Sequence, residues 1–404
     1  MRDDLKLLLL SEKTIQTMNK GKYVFAQLIE FLPQRVFDGI VDKYSGNKYV
    51  KHFTCWNQLL TMMFGQLTCR DSLRDLIVAI DAHSQKSYHL GFGKNVTRSN
   101  LSKANETRDC KIFEEFAYSL IDIARRKRAN EDFEIKGKVY AFDSTTIDLC
   151  LNVFWWAKFR KAKAGIKMHT LYDITTQIPT FIHITNASVN DMNAMDVIPY
   201  ECGAYYIFDR GYVDYKRLYN ITLHSASFVV RAKKNLYFDC VRYNPVNERN
   251  GVMSDQIGKL KSFYISKNYP EILRKVVYYD KEKNRTFVYL TNNMEITAEQ
   301  VALLYKNRWQ IELFFKWIKQ HLKIKAFWGT TENAVRTQIF SAIIAYCTVA
   351  IVESDLKIDR STYEVLQILG ISLLDKTPIK ELFEKAEFND VKEQISDQLT
   401  LNFF

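Results

Sequence analysis

Four residues near the last quarter of the chain have the types and spacing to do phosphate chemistry: Tyr305, Arg308, Glu312 and Lys319. They are separated by 3, 4 and 7 positions, so a helix of 3.6 residues per turn stacks them along one face. At about 100° per residue, the other three fall within roughly 40° of Glu312. Ile311, Phe314, Phe315, Ile318 and Leu322 form a separate apolar stripe that anchors such a helix to a core. The reading is an exposed ridge with one carboxylate between two cations and a phenol. A carboxylate that can hold a metal, beside cations that can hold phosphates, suits a nuclease or a polynucleotide transferase. Acid and base at helical spacing also make ordinary solvated faces, worth a few tenths of a kcal/mol per pair. The metal reading therefore needs further carboxylates.

Two are available. The run Lys138-Val139-Tyr140-Ala141-Phe142 reads as a short buried strand that stops at Asp143-Ser144-Thr145-Thr146. Ala204-Tyr205-Tyr206-Ile207-Phe208 is a second such run, stopping at Asp209-Arg210-Gly211-Tyr212. Ligands gather at strand ends in helix-covered sheets, because loop residues there are accessible yet rigidly held. An Asp in either position alone is as well explained as a turn or helix cap. Two of them together with Glu312 favour a metal-binding triad.

With those motifs in view, the chain resembles the DDE transposases of the insertion sequence four family. The resemblance rests on Asp143 in Asp-Ser-Thr, Asp209 in Asp-Arg-Gly-Tyr, and the Tyr305/Arg308/Glu312/Lys319 signature. Phe327-Trp328-Gly329 with Asn333, Val335 and Gln338 resembles that family's continuation. It covers about residues 136 to 352. It implies an α/β fold: a ribonuclease-H-like mixed sheet with a β-rich insertion at about 233–293. A helical N-terminal DNA-end-binding domain (1–133) would precede the catalytic core (134–345), and a helical C-terminal region (346–404) would follow it.

The resemblance also implies a site. Asp143, Asp209 and Glu312 would hold two Mg²⁺ or Mn²⁺ ions, with Asp143 bridging them. Arg308 and Lys319 would grip phosphates at the element's end, and Tyr305 would add a hydroxyl and a ring. Lys316 and Lys323 extend the basic ridge as DNA contacts. The implied activity is cleavage at terminal inverted repeats and strand transfer into target DNA, by a homodimer that bridges the ends. Relatives are thought to stack a Trp where a terminal base is extruded, and Trp155, Trp156, Trp309, Trp317 and Trp328 are the candidates here.

The remaining sequence is compatible with this reading. Asp143 and Asp209 lie 66 positions apart, room for two more strands, read at 165–172 and 179–184. The further 103 positions to Glu312 are too many for one helix–strand–helix passage, and 275–279 and 286–291 alternate as strands within them. In the N-terminal third, 56–64, 72–82 and 111–125 have helical periodicity, and Thr97 begins a capped, basic helix. The first ~20 residues have the composition of a poorly ordered terminus. His169 and His183 read as core strand residues, Asp148 as surface, and Asp191 as an acid near a strand exit that could support the metal ligands from behind.

At 404 residues the chain has room for two or three domains, and its net charge of +11 suits a polyanionic partner. Seven Cys without a Cys-x2-Cys pair indicate neither a zinc ribbon nor a disulfide framework, so a cytoplasmic, reduced protein is expected. The apolar run 339–352 is shorter than the ~20 residues a bilayer needs and reads as a core helix, so no membrane association is expected. A P-loop is missing, which argues against ATP, and no His-x2-Arg pair supports a tyrosine recombinase. Two alternatives stay open: a nuclease with the same core but no strand transfer, and an inactive DNA-binding relative.

Overall fold

The computed structural model describes residues 21–384, apart from 94–95, 130–134, 151–153, 161–162, 262 and 322–326. The expectations for the first ~20 residues and for Lys323 fall outside that set. Among the described residues, six α-helices come first: α1 (Val24–Ile29), α2 (Gln34–Lys43), α3 (Cys55–Leu67), α4 (Leu73–Ala82), α5 (Arg98–Thr107) and α6 (Lys111–Lys127). Thr97 caps α5 through the backbone amide of Asn100, as its position suggests.

Strands β1 (Val139–Leu149), β2 (Lys158–Arg160), β3 (Lys163–Asp173), β4 (Ile178–Asn186) and β5 (Tyr205–Phe208) follow. Helix α7 (Tyr215–Leu223) leads to β6 (Ser227–Arg231), β7 (Phe238–Tyr243) and β8 (Val252–Leu260). Beyond α8 (Phe263–Asn268) come β9 (Leu273–Asp280) and β10 (Arg285–Thr291). The last elements among the described residues are α9 (Ala298–Asn307), α10 (Trp309–His321), α11 (Glu332–Leu356), α12 (Thr362–Ser372) and α13 (Ile379–Phe383).

The strands form one mixed sheet in the order β2-β3-β1-β5-β6-β10-β9-β8-β7, with β4 paired to β3 beyond its short contact with β2. β1, β5 and β6 are mutually parallel; β3 runs antiparallel to β1, and β4 to β3. The strands of the 233–293 stretch extend this same sheet, because β10 pairs with β6 through Thr291, Leu290 and Tyr289.

Period-2 alternation explains why both sheet faces are covered. Val139 and Ala141 point into a large core shared with the N-terminal helices and α11, while Tyr140 and Phe142 point into a second core under α7. α11 is the spine of the first core. By length and composition it is the one helix among the described residues apolar enough to cross a bilayer, yet 83% of its apolar window is buried inside the protein. It packs chiefly on α6 and α3, so the N-terminal helices and the sheet share one apolar interior.

One glycine of α3 makes room for Trp328, which precedes α11. A Cβ on Gly65 of α3 would lie 2.5 Å from the Trp328 ring and 2.9 Å from Leu76. Gly65→Ala is expected to destabilise the chain by about 1–3 kcal/mol through overpacking, read as a lower urea midpoint. An unchanged midpoint would mean that Trp328 is free to shift.

Candidate active site

The parallel register of β1 and β5 brings two acids together. Phe142 pairs with Phe208, so Asp143 and Asp209, each the next residue, emerge side by side. Their strands do not both end there. β5 stops, but β1 continues to Leu149 as the antiparallel partner of β3, so Asp143 lies within a strand and not at its end. The Asp-Ser-Thr-Thr segment reads as a turn, but pairing with β3 overrides that local preference. Asp143 marks the place where the parallel partner leaves.

After Asp209 the chain makes a 3-10 turn, Arg210–Tyr212, which folds the Tyr212 ring against Phe142 and Phe208. Its hydroxyl sits 3.4 Å from Asp143 Oδ1, and the Ser144 amide donates to the same oxygen at 2.8 Å. Sequence reasoning gave Tyr212 no role. The available signal was its position three residues after Asp209 in a tight turn behind two aromatic strands.

The Tyr/Arg/Glu/Lys signature falls on two helices, not one. Tyr305 belongs to α9, Glu312 and Lys319 to α10, and Arg308 is the right-handed junction between them. It is also not an exposed ridge: Tyr305 is 9% exposed, and the Arg308 side chain is 13% exposed. The Tyr305 hydroxyl donates to Asp209 Oδ1 at 3.2 Å. Arg308 Nη1 meets Asp143 Oδ2 at 3.2 Å, while Nη2 donates to Glu312 Oε1. Lys319 Nζ donates to the Thr146 carbonyl of β1 at 2.8 Å. Lys316 is exposed on α10, beside a groove shared with Trp309, Leu313 and Trp317.

The electrostatics report acids crowded at one place. Burial pushes the Asp143 carboxyl up to about 6, and Asp209 and Glu312 add repulsion, while the Ser144 amide and Arg308 oppose it. The Tyr305 phenol is pushed up to about 12, first by burial and then by Asp209. Burial works against the charge of Arg308, but the Glu312 hydrogen bond and the neighbouring Tyr305 and Asp143 raise its pKa overall.

Among the described residues, no three acids, histidines or cysteines stand in a finished cation cage. The Arg308 guanidinium spans Asp143 and Glu312 and pairs with both. The donor set otherwise fits a hard divalent ion, being carboxylate oxygens from rigid strands and one helix.

The other expectations divide. His169 is fully buried between strands and His183 is half-buried, as core histidines should be, and Asp148 is exposed. Of the five candidate tryptophans, Trp317 and Trp328 are buried and Trp156 donates its indole N–H to the Thr330 carbonyl. Trp155 and Trp309 are the two that present substantial surface. The seven Cys are all free thiols.

A family model described as "Transposase DDE domain" matches residues 134–348, just over half of the chain. The chain belongs to the DDE transposase family. This transposase also matches, over residues 20–93, a model described as a domain of unknown function (DUF4372). It is 36% identical to a Sinorhizobium fredii protein named as transposase y4zB, over 71% of this chain and 78% of the other. It is 30% identical to a Geobacillus stearothermophilus protein named as the transposase for insertion sequence element IS5377, over 50% of this chain and 54% of the other. A Synechocystis protein named as the transposase for element IS4SA is 26% identical over 63% of this chain and 71% of the other. A piggyBac transposase in a synaptic complex with hairpin DNA aligns over 90% of this chain and 82% of that one. Its identity is 11% and its TM-score 0.44, a distant likeness only. The transposase is thus an insertion-sequence enzyme that cleaves DNA and transfers strands, with a divalent metal in general required.

Proposed function

We propose that this transposase is of the insertion sequence four type, with a ribonuclease-H-like core, and moves its element by cut-and-paste. Asp143, Asp209 and Glu312 are its catalytic residues and would hold two Mg²⁺ or Mn²⁺ ions. The observation that carries this reading is the Phe142–Phe208 register, which sets Asp143 beside Asp209, together with the Arg308 bridge from Asp143 to Glu312. The strand order β4-β3-β1-β5-β6, with β1, β5 and β6 parallel, supports the core assignment.

When bound, the metal pair supplies Lewis acidity that activates the attacking oxygen and stabilises the leaving one. The chain's own residues prepare that chemistry. Ser144 and Tyr212 fix one oxygen of Asp143, leaving the other towards Arg308. Arg308, drawn off the acids by a DNA phosphate, becomes a bidentate phosphate clamp. Tyr305 holds Asp209 through its hydroxyl and so orients it. Lys319, tethered to β1 at Thr146, brings a cation alongside the scissile phosphate, and Lys316 adds a weaker backbone contact. The N-terminal helices would bind the terminal inverted repeats, and a homodimer would bridge the two ends, with no step requiring ATP.

Lys319→Ala is expected to weaken DNA binding and reduce the slope of log K against log salt by about 0.9, one released counterion. A slope equal to the parent's would remove Lys319 from the phosphate contacts. The whole reading is tested with a pre-cleaved element end bearing a 3′-hydroxyl, a supercoiled plasmid and Mg²⁺. Covalent joining of end to plasmid supports it. Nicking without joining would leave a nuclease on the same core.

A further inference from the structure

Beside Asp143, on the side away from Arg308, a second polar cluster converges on a single oxygen. Ser144 Oγ donates to Asp191 Oδ1 at 2.8 Å, and Lys167 Nζ lies 3.1 Å from the same oxygen. Ser144 comes from β1, Lys167 from β3, and Asp191 from the 3-10 turn Asp191–Val197 after β4. Lys167 is only 15% exposed and donates a second bond to the Val189 carbonyl at 2.7 Å. A largely buried ammonium needs such a partner. His169 stands behind them opposite Ser144, with Nδ1 4.0 Å from Asp191 and lacking a hydrogen bond. Burial draws His169 down to about 4, so its ring is neutral and Lys167 supplies the positive charge facing Asp191.

The turn does not need the Asp191 side chain. Asn190 caps it through the Met192 amide, and Asp196 ties it to α7 through Arg217. What Asp191 does hold is Ser144, and Ser144 holds Asp143. Its amide donates to Asp143 Oδ1, the oxygen that the Tyr212 hydroxyl also approaches at 3.4 Å.

We propose that Asp191, charge-paired with Lys167, is a positioning residue that acts through Ser144 to lock Asp143, and so raises the site's affinity for a divalent cation. The proposal rests on the assignment of Asp143 as a metal ligand. Groups that orient a metal's ligands typically account for 10–100-fold in metal affinity. Asp191 touches neither the cation nor DNA in this scheme. Its effect passes through a hydroxyl and a backbone amide.

The test is Mn²⁺ binding to the full chain without DNA, followed by the electron paramagnetic resonance signal of free Mn²⁺. Asp191→Ala and Ser144→Ala should each weaken binding about 10-fold or more. The double substitution should be no weaker than the worse single one, because both remove the same link. Additive losses would mean separate structural damage and would overturn the proposal, as would parent-like affinity in both single variants. Should Asp191→Ala fail to fold, Ser144→Ala alone decides: weaker binding supports the link and unchanged binding refutes it. Asp143→Asn separates the two levels. If it leaves Mn²⁺ binding intact, the carboxylate site itself fails; if it abolishes binding while Asp191→Ala does not alter it, only the positioning role fails.

Discussion

Glu312→Gln and Asp143→Asn are each expected to lower Mg²⁺-dependent DNA cleavage by about 10³-fold or more, roughly 4 kcal/mol of transition-state stabilisation. Both changes keep side-chain size and remove one negative charge from the set proposed to hold cations. Asp143 is the more constrained of the two. Its side chain is 22% exposed, against 56% for Glu312, and three donors already fix its oxygens. DNA binding should survive in both variants, because the cationic side chains remain. Gel-shift and cleavage assays on the same preparations separate the two effects. Near-parent cleavage by either variant would remove that residue from the site.

Arg308→Ala is expected to move two measurements in opposite directions. Without DNA, the substitution should tighten Mn²⁺ binding by about tenfold or more. The guanidinium that now satisfies Asp143 and Glu312 would be gone, and a unit charge at 4 Å is worth about 4 kcal/mol at an effective dielectric of 20. Cleavage should nevertheless fall by about 10²-fold, because the bidentate phosphate clamp is lost with it. Arg308→Lys should not restore cleavage fully, since an ammonium cannot grip a phosphate bidentately as a planar guanidinium does. A titration in which Arg308→Ala binds Mn²⁺ more weakly than the parent would show that the arginine builds the site instead of guarding it.

The elements that carry the acids were legible because their residues are extreme. Tyr140, Phe142, Tyr206 and Phe208 make short aromatic runs that only a doubly covered sheet can bury, and β3 and β4 alternate clearly enough to be placed within a few residues. The apolar run at 339–352 lies within α11, the core helix it was read to be. What stayed hidden depends on pairing between distant segments. The continuation of β1 past Asp143 is held by β3, whose pairing outweighs a turn-like Asp-Ser-Thr-Thr. The break at Arg308 leaves the helical spacing of the signature intact, so no periodicity count reveals it. Tyr305 is buried because its ring meets Tyr289 of β10, a strand that the alternation located without placing it in the main sheet. Lys167 looks like any polar strand residue until the turn after β4 brings Asp191 over it.

Asp143, Asp209 and Glu312 are expected to bind divalent cations together once Arg308 gives way. An anomalous difference map from crystals of the full chain soaked in Mn²⁺ tests it most directly. The expected result is density touching Asp143 Oδ2 and at least one oxygen each of Asp209 and Glu312, with the guanidinium turned away from the carboxylates. Saturating Mn²⁺ that leaves Arg308 bridging Asp143 and Glu312, with density only elsewhere, would contradict it.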